Sequence, residues 1–219
     1  MLDRFRCVLF DFDGTLAPNL DLPDMRRQVI ELTLACNVPD AVFEGRYIVE
    51  IVDAAEAYLA RTSVPQARAY AAQAHQLIYD IEMGAARGTE VFESTRPVLA
   101  AASAEGCRTA VVTRNCAPAV ALTFPDWADY VDVMLARDQV TSLKPEPGHF
   151  EEALNRCGAN SDQAAIVSDG AMDMRTGRQV GLTCIGVLTG SSDTARLFEA
   201  GAHVVLDDIS GLLDARSEN

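Results

Sequence analysis

The chain has 219 residues, 49% of them hydrophobic and 23% charged, which is the balance of a globular protein and excludes a disordered, collagen-like or coiled-coil one. Its 32 acidic residues outnumber 18 basic ones, for a formal net charge of −14, a field that repels nucleic acid and anionic membrane surfaces. Seventeen of the cations are Arg, and the sole lysine is Lys144.

Charges at Asp3, Arg4 and Arg6 and a short apolar run before Asp11 are a poor secretory signal. No stretch approaches the ~18 apolar residues of a membrane span. The six cysteines form no CxxC pair and no metal-like spacing with the three histidines. The expectation is a reduced, cytoplasmic protein with free thiols.

Short apolar runs, each ending in a polar or Gly-containing turn, predict strands over Cys7–Phe10, Thr109–Val112, Tyr130–Leu135, Ala164–Val167, Cys184–Leu188 and His203–Leu206. They are apolar on both faces, as strands of a parallel sheet covered on both sides must be. Helices are predicted between them over Arg96–Glu105, Pro147–Cys157 and Asp193–Ala200, closed by Gly106, Gly158 and Gly201. From Pro18 to Gly88 the alternation stops. Three or four helices are expected there, near Pro23–Cys36, from Pro39 to about Arg61, and from Pro65 to about Arg87. Ile48, Ile51, Val52, Ala55, Tyr58 and Leu59 carry the helical spacing. The expected architecture is α/β: a doubly wound, Rossmann-like parallel sheet made by residues 1–17 and 89–219. An all-helical cap made by residues 18–88 is inserted after the first strand, at the sheet end where such folds bind ligands.

Asp11 and Asp13 follow the first apolar run directly, and Gly14 then permits a sharp turn. Two carboxylates at one strand tip repel, so a cation or a shared proton is expected between them. Thr113, Arg114 and Asn115 end the second run, where a hydroxyl and the amides opening a helix suit an anionic oxygen. By itself, however, Thr at a strand end is commonplace. A single lysine, Lys144 before Pro145, is by itself equally consistent with a surface charge. Asp169 closes the Ala164–Val167 run, with Asp173 four residues on and on the same face if a helix starts there.

In order, DFDGT, VVTRN, LKPEP and VSDGAMD resemble the haloacid dehalogenase superfamily, specifically its phosphatases with a helical cap, and RQVGLTCIGVLTG after the last motif is similar to the phosphoglycolate-phosphatase-like branch. With the cap, the likeness covers nearly the whole chain. It implies Asp11 as nucleophile, forming an aspartyl-phosphate, and Asp13 as the acid and base serving leaving group and water. It implies Mg²⁺ held by Asp11, the Asp13 main-chain carbonyl and Asp169. Thr113, the amide region of Arg114 and Asn115, and Lys144 would neutralise the phosphate. Asp173 would orient Lys144 or a metal-bound water. Arg46 and Arg61 in the cap are candidate contacts to an anionic substrate.

The implied partner is a small phosphorylated metabolite, with no nucleic acid and no membrane, bound by a monomer or homodimer. The acid at Asp13 argues against a dehalogenase, whose halide leaves unprotonated. A cap without lysine excludes Schiff-base phosphonate hydrolysis. A phosphosugar mutase of the same fold, often with Glu-Asp in place of Ser168-Asp169, and a catalytically degenerate binding or scaffold protein are the alternatives. A signalling receiver domain is shorter and has no inserted cap. Ser168 stands where these relatives usually have glycine, and Ala17-Pro18-Asn19 departs from their usual acid and Ser. Trp127 is expected as a packing anchor and His75 and His203 as structural; His149 begins a helix near Lys144, within reach of the site, but is expected at the surface.

Overall fold

Cys7–Phe10 form strand β1, in which all four side chains are buried. They alternate between two cores: Val8 and Phe10 pack on one face of the sheet, Cys7 and Leu9 on the other. A strand sealed on both faces has no room for polar side chains until it leaves the sheet, so the first charges appear at its end. A computed structural model describes residues 1–214 of the chain.

The other strands are β2 (Arg108–Val112), β3 (Val133–Leu135), β4 (Ala164–Ser168), β5 (Thr183–Val187) and β6 (Val204–Leu206). They form one parallel sheet in the order β3-β2-β1-β4-β5-β6. The order reverses at β1, which lies between β2 and β4, and this is the switch point at which doubly wound sheets bind ligands.

Nine helices run in chain order among the described residues. They are α1 (Leu22–Ala35), α2 (Ile48–Ala60), α3 (Val64–Ala86), α4 (Thr95–Ala104), α5 (Ala117–Thr123), α6 (Gly148–Cys157), α7 (Ala171–Val180), α8 (Thr194–Glu199) and α9 (Gly211–Asp214). Gly106, Gly158 and Gly201 follow helices at φ of 73°, 65° and 110°, the left-handed region that a residue with a Cβ avoids. Among the described residues no helix is long and apolar enough to cross a membrane.

The chain forms two compact units, Met1–Leu20 with Ala86–Asn219, and Asp21–Ala85. In the helical unit Asp21 caps α1 by accepting from the Asp24 amide at 3.0 Å. Ile51, Val52, Ala55 and Leu59 of α2 are buried. Thr33 on α1 and Tyr70 on α3 share a buried hydroxyl–hydroxyl bond of 2.7 Å.

Two expected elements come out shorter by more than a residue or two at their ends. The helix expected from Pro39 to Arg61 is a 3-10 turn at Asp40–Val42 followed by α2. Gly45 at φ 74° breaks it, because a left-handed residue cannot continue a right-handed helix. The strand expected from Tyr130 starts at Val133, because Tyr130 and Val131 complete hydrogen bonds to Trp127 that close a 3-10 turn. Trp127 packs partly buried against the core, as expected.

Candidate active site

The Asp11 amide still donates to Val167 of β4, so this residue is the last held by the sheet ladder. Beyond it, the amides of Leu16 and Ala17 both turn back to the Phe12 carbonyl. Gly14 sits at φ 80°, and a Cβ there would overlap Asn19 and the Asp169 carboxylate. The tight loop thus carries Asp11 and Asp13 to the strand tip and lets Asp169, just beyond β4, close against the loop backbone.

Lys144 links the acids. Its Nζ lies 2.8 Å from Asp11 Oδ1 and 2.7 Å from Asp173 Oδ2, and its side chain is 1% exposed. Burial alone would lower the lysine's pKa, but the attractions of Asp11 and Asp173 outweigh it and hold the ammonium above its usual value. Asp11 is pushed well above the carboxylate range, first by burial and then by Asp173 and Asp169, against the pull of Lys144. Its two oxygens are unequal. Oδ1 accepts from Lys144 and from the Phe12 amide at 2.7 Å, whereas Oδ2 meets the Ser168 hydroxyl at 3.4 Å.

Asp13 is oriented from the neighbouring strand. Asn115, just beyond β2, gives its side-chain amide to both Asp13 oxygens at 3.2 Å. The Asn115 main-chain amide donates to Thr113 Oγ1 at 3.0 Å. Asp169 is held through Oδ2, which accepts from the Ser191 amide at 2.6 Å, the Ser191 hydroxyl at 2.9 Å and Asn19 Nδ2 at 3.5 Å. Its own amide donates to Thr15 Oγ1 at 3.1 Å. Gly190 passes so close that a Cβ there would collide with the Asp169 carboxylate. Asp173, in the first turn of α7, receives the Ser168 hydroxyl at 2.7 Å on the oxygen that also meets Lys144. Its Oδ1 is buried with no hydrogen-bond partner among the described residues.

Asp11, Asp13, Thr113, Asn115, Lys144, Asp169 and Asp173 therefore stand on one connected set of strand tips and loops. The guanidinium of Arg114, whose main-chain amide region the resemblance implied for phosphate, turns to the Lys144 carbonyl at 2.8 Å and to Met172 Sδ at 3.7 Å. One expectation is overturned. His149, expected at the surface, has no exposure at all, because its ring is taken up by two main-chain partners. Arg46 and Arg61 belong to the helical unit and are exposed; Arg46 Nε donates to the Val42 carbonyl at 3.0 Å.

Sequence reasoning passed over Thr15, Ser168, Thr189 and Ser191 as side chains with partners at the site. Thr189 Oγ1 donates to the Gly14 carbonyl at 2.6 Å and ties the loop after β5 to the Asp11 loop. The only cue for that loop was its place after a buried strand neighbouring β4, and small hydroxyl residues there carry no distinctive signal.

The donors that the resemblance implies for a metal, the carboxylates of Asp11 and Asp169 and the Asp13 main-chain carbonyl, are hard oxygens, the type that Mg²⁺ takes. Among the described residues no three His, Cys, Asp or Glu side chains cluster as a self-sufficient metal cage. Such a cage is not required of Mg²⁺, which keeps several waters and substrate oxygens. The buried ammonium of Lys144 meets only Asp11 and Asp173, and a divalent cation would add positive charge among carboxylates gathered at these strand tips. The residues present fit the ion.

The model of the haloacid dehalogenase-like hydrolase family matches residues 5–181. A phosphoglycolate phosphatase of Yersinia pseudotuberculosis is 27% identical over 96% of this chain and 92% of its own length. One from Rhodospirillum rubrum is 28% identical over 95% and 90%. A β-phosphoglucomutase of Mycobacterium bovis is 31% identical over 58% of this chain and 51% of its own. Among solved structures, a hydrolase from Pseudomonas syringae superposes with a TM-score of 0.67 at 20% identity, covering 95% of this chain and 96% of that one. The sheet order, the loop carrying Asp11 and Asp13, and the family match agree: this chain belongs to the haloacid dehalogenase-like hydrolase family.

Proposed function

We propose that the protein is a Mg²⁺-dependent phosphatase that hydrolyses a small phosphate monoester through an aspartyl-phosphate on Asp11. The observation that carries this reading is Lys144, one ammonium held within 2.8 Å of both Asp11 and Asp173. Phosphoryl transfer asks chiefly for positioning and charge neutralisation, and a buried ammonium beside a carboxylate nucleophile supplies both.

Asp11 attacks phosphorus, and the bond to the ester oxygen breaks. Asp13, oriented by Asn115, gives its proton to that leaving oxygen. Asp13 then takes a proton from the water that attacks the aspartyl-phosphate, which returns Asp11 and releases inorganic phosphate. Thr113 Oγ1, the amides after it and Lys144 Nζ receive the phosphate oxygens. When bound, Mg²⁺ neutralises the charge of the transferring group; Asp11, the Asp13 carbonyl and Asp169 would hold it. Asp173 keeps Lys144 pointed at Asp11. Arg46 and Arg61, exposed on the helical unit, are the side chains we assign to substrate choice.

The two near-full-length relatives named above are phosphoglycolate phosphatases, which makes phosphoglycolate the first substrate to test, followed by sugar phosphates. A panel of such esters, assayed with Mg²⁺ and with chelator, tests the reading. Metal-dependent release of phosphate is expected, and Asp11→Asn should abolish it with the fold unchanged. Residual activity above about one percent in that variant, far more than loss of a nucleophile leaves, would remove Asp11 from its role. Transfer of the group to a second sugar phosphate in preference to water would make the protein a mutase. Inactivity on every ester would favour a binding protein.

A further inference from the structure

Lys144 lies in an irregular segment between β3 and α6, where no sheet ladder holds its backbone. Both of its peptide groups are held by side chains instead. The Lys144 amide donates to His149 Nδ1 at 3.2 Å, and the Lys144 carbonyl accepts from Arg114 Nη1 at 2.8 Å. The segment also closes on itself: a Cβ at Gly148 would strike the Ser142 side chain.

The other nitrogen of His149, Nε2, lies 3.1 Å from the Leu135 carbonyl. A carbonyl can only accept, so Nε2 carries the proton and Nδ1 is the acceptor for Lys144. The same Leu135 oxygen accepts the Thr113 amide at 3.1 Å. One carbonyl at the end of β3 therefore ties the tip of β2, which bears Thr113, to the imidazole that holds Lys144. Burial, with the Lys144 charge adding to it, lowers the His149 pKa to about 4, so the ring stays neutral and its tautomer does not change in neutral solution.

We propose that His149 is a positioning residue for the phosphate site: through its two ring nitrogens it fixes the Lys144 backbone relative to Thr113, and so sets where Lys144 Nζ meets the transferring group. Arg114 holds the same residue from its carbonyl side. The proposal rests on Lys144 serving phosphate as described above. The side-chain carboxylates fix where the ammonium points, while the main-chain clamp fixes how far it reaches. Small displacements of a charge-neutralising group are costly in phosphoryl transfer, because the effect is spent only where the charge develops.

His149→Phe keeps a ring in the buried site but removes both hydrogen bonds. In His149→Asn the amide oxygen comes near the place of Nδ1 and can still accept from Lys144. With p-nitrophenyl phosphate and Mg²⁺, the Phe variant is expected to lose about tenfold or more in kcat and to bind inorganic phosphate about tenfold more weakly as a competitive inhibitor. The Mg²⁺ concentration for half-activation should stay within about twofold, since Asp169 is supported by other residues. The Asn variant should recover most of the loss. Unchanged kcat and phosphate inhibition alongside a lower Tm would make His149 a packing residue and overturn the proposal. If the Phe variant fails to fold, the Asn variant is compared with His149→Gln, whose longer side chain reaches toward Leu135; equal wild-type kinetics in both overturns it. Lys144→Met, assayed in parallel, separates the two levels: wild-type rates in that variant would defeat the phosphate role of Lys144 itself. A dead Lys144→Met beside an unimpaired His149→Phe would defeat only the positioning role.

Discussion

Asn115 Nδ2 is 3.2 Å from each carboxylate oxygen of Asp13, so a residue at the tip of β2 orients an acid at the tip of β1. The fork leaves Asp13 with a single orientation, which matters most when its proton must reach a poor leaving group. Asn115→Ala should therefore slow hydrolysis of alkyl phosphates by about a hundredfold, and of aryl phosphates, whose phenolate leaves without help, by much less. Equal losses on both ester types would show that Asn115 serves phosphate binding instead.

Lys144 is surrounded closely enough that its shape matters as well as its charge. Lys144→Arg keeps the charge, but a wide planar guanidinium cannot replace a compact ammonium between Asp11 and Asp173. A loss in kcat of about a hundredfold is expected, and a drop in thermal stability, since breaking a buried pair costs about 3–5 kcal/mol when a charge is left unpaired. Wild-type turnover would make the lysine a bystander.

His149 gives the fold a defined acid sensitivity. Its pKa is about 4 when folded, against 6.5 ordinarily, because burial and then Lys144 disfavour its charge, while Asp173, Glu152 and the Leu135 carbonyl oppose the shift in part. Between these values the unfolded chain binds a proton that the folded chain does not. Stability is thus complete above about pH 6.5 and falls as pH drops toward 4, by roughly 3 kcal/mol at full extent. Urea unfolding across that range checks it: the difference between wild type and His149→Phe should narrow as pH falls, and a constant difference would contradict the shift.

Gly190 permits the loop after β5 to lie against Asp169, where a methyl group would overlap the carboxylate. Gly190→Ala should displace that carboxylate and raise the Mg²⁺ needed for half-activation by about ten- to a hundredfold. Gly88→Ala, with open space at its Cβ, is the control. Direct titration of metal binding, by calorimetry on both variants, reads this without turnover, and equal affinities would remove the loop from any metal role.

The chain itself determined the strands, their parallel arrangement and the acids at their tips. That information is local: a strand sealed on both faces is a continuous apolar run, and the first charge after it marks the sheet end. Asp11, Asp13 and Asp169 were legible for this reason, and Lys144 stood out because every other cation is Arg. The break at Gly45 and the late start of β3 were not legible, since an apolar spacing tolerates a turn that only backbone geometry reveals. Tertiary structure alone decided what the side chains around the acids do. The Arg114 guanidinium turned to the Lys144 carbonyl, His149 went inside, and Ser191 and Asn19 came to Asp169 from loops more than twenty and a hundred residues away. Main-chain donors and acceptors in irregular loops must find partners somewhere. Which side chain supplies them depends on how strands far apart in the chain are brought side by side, a fact that local spacing does not contain.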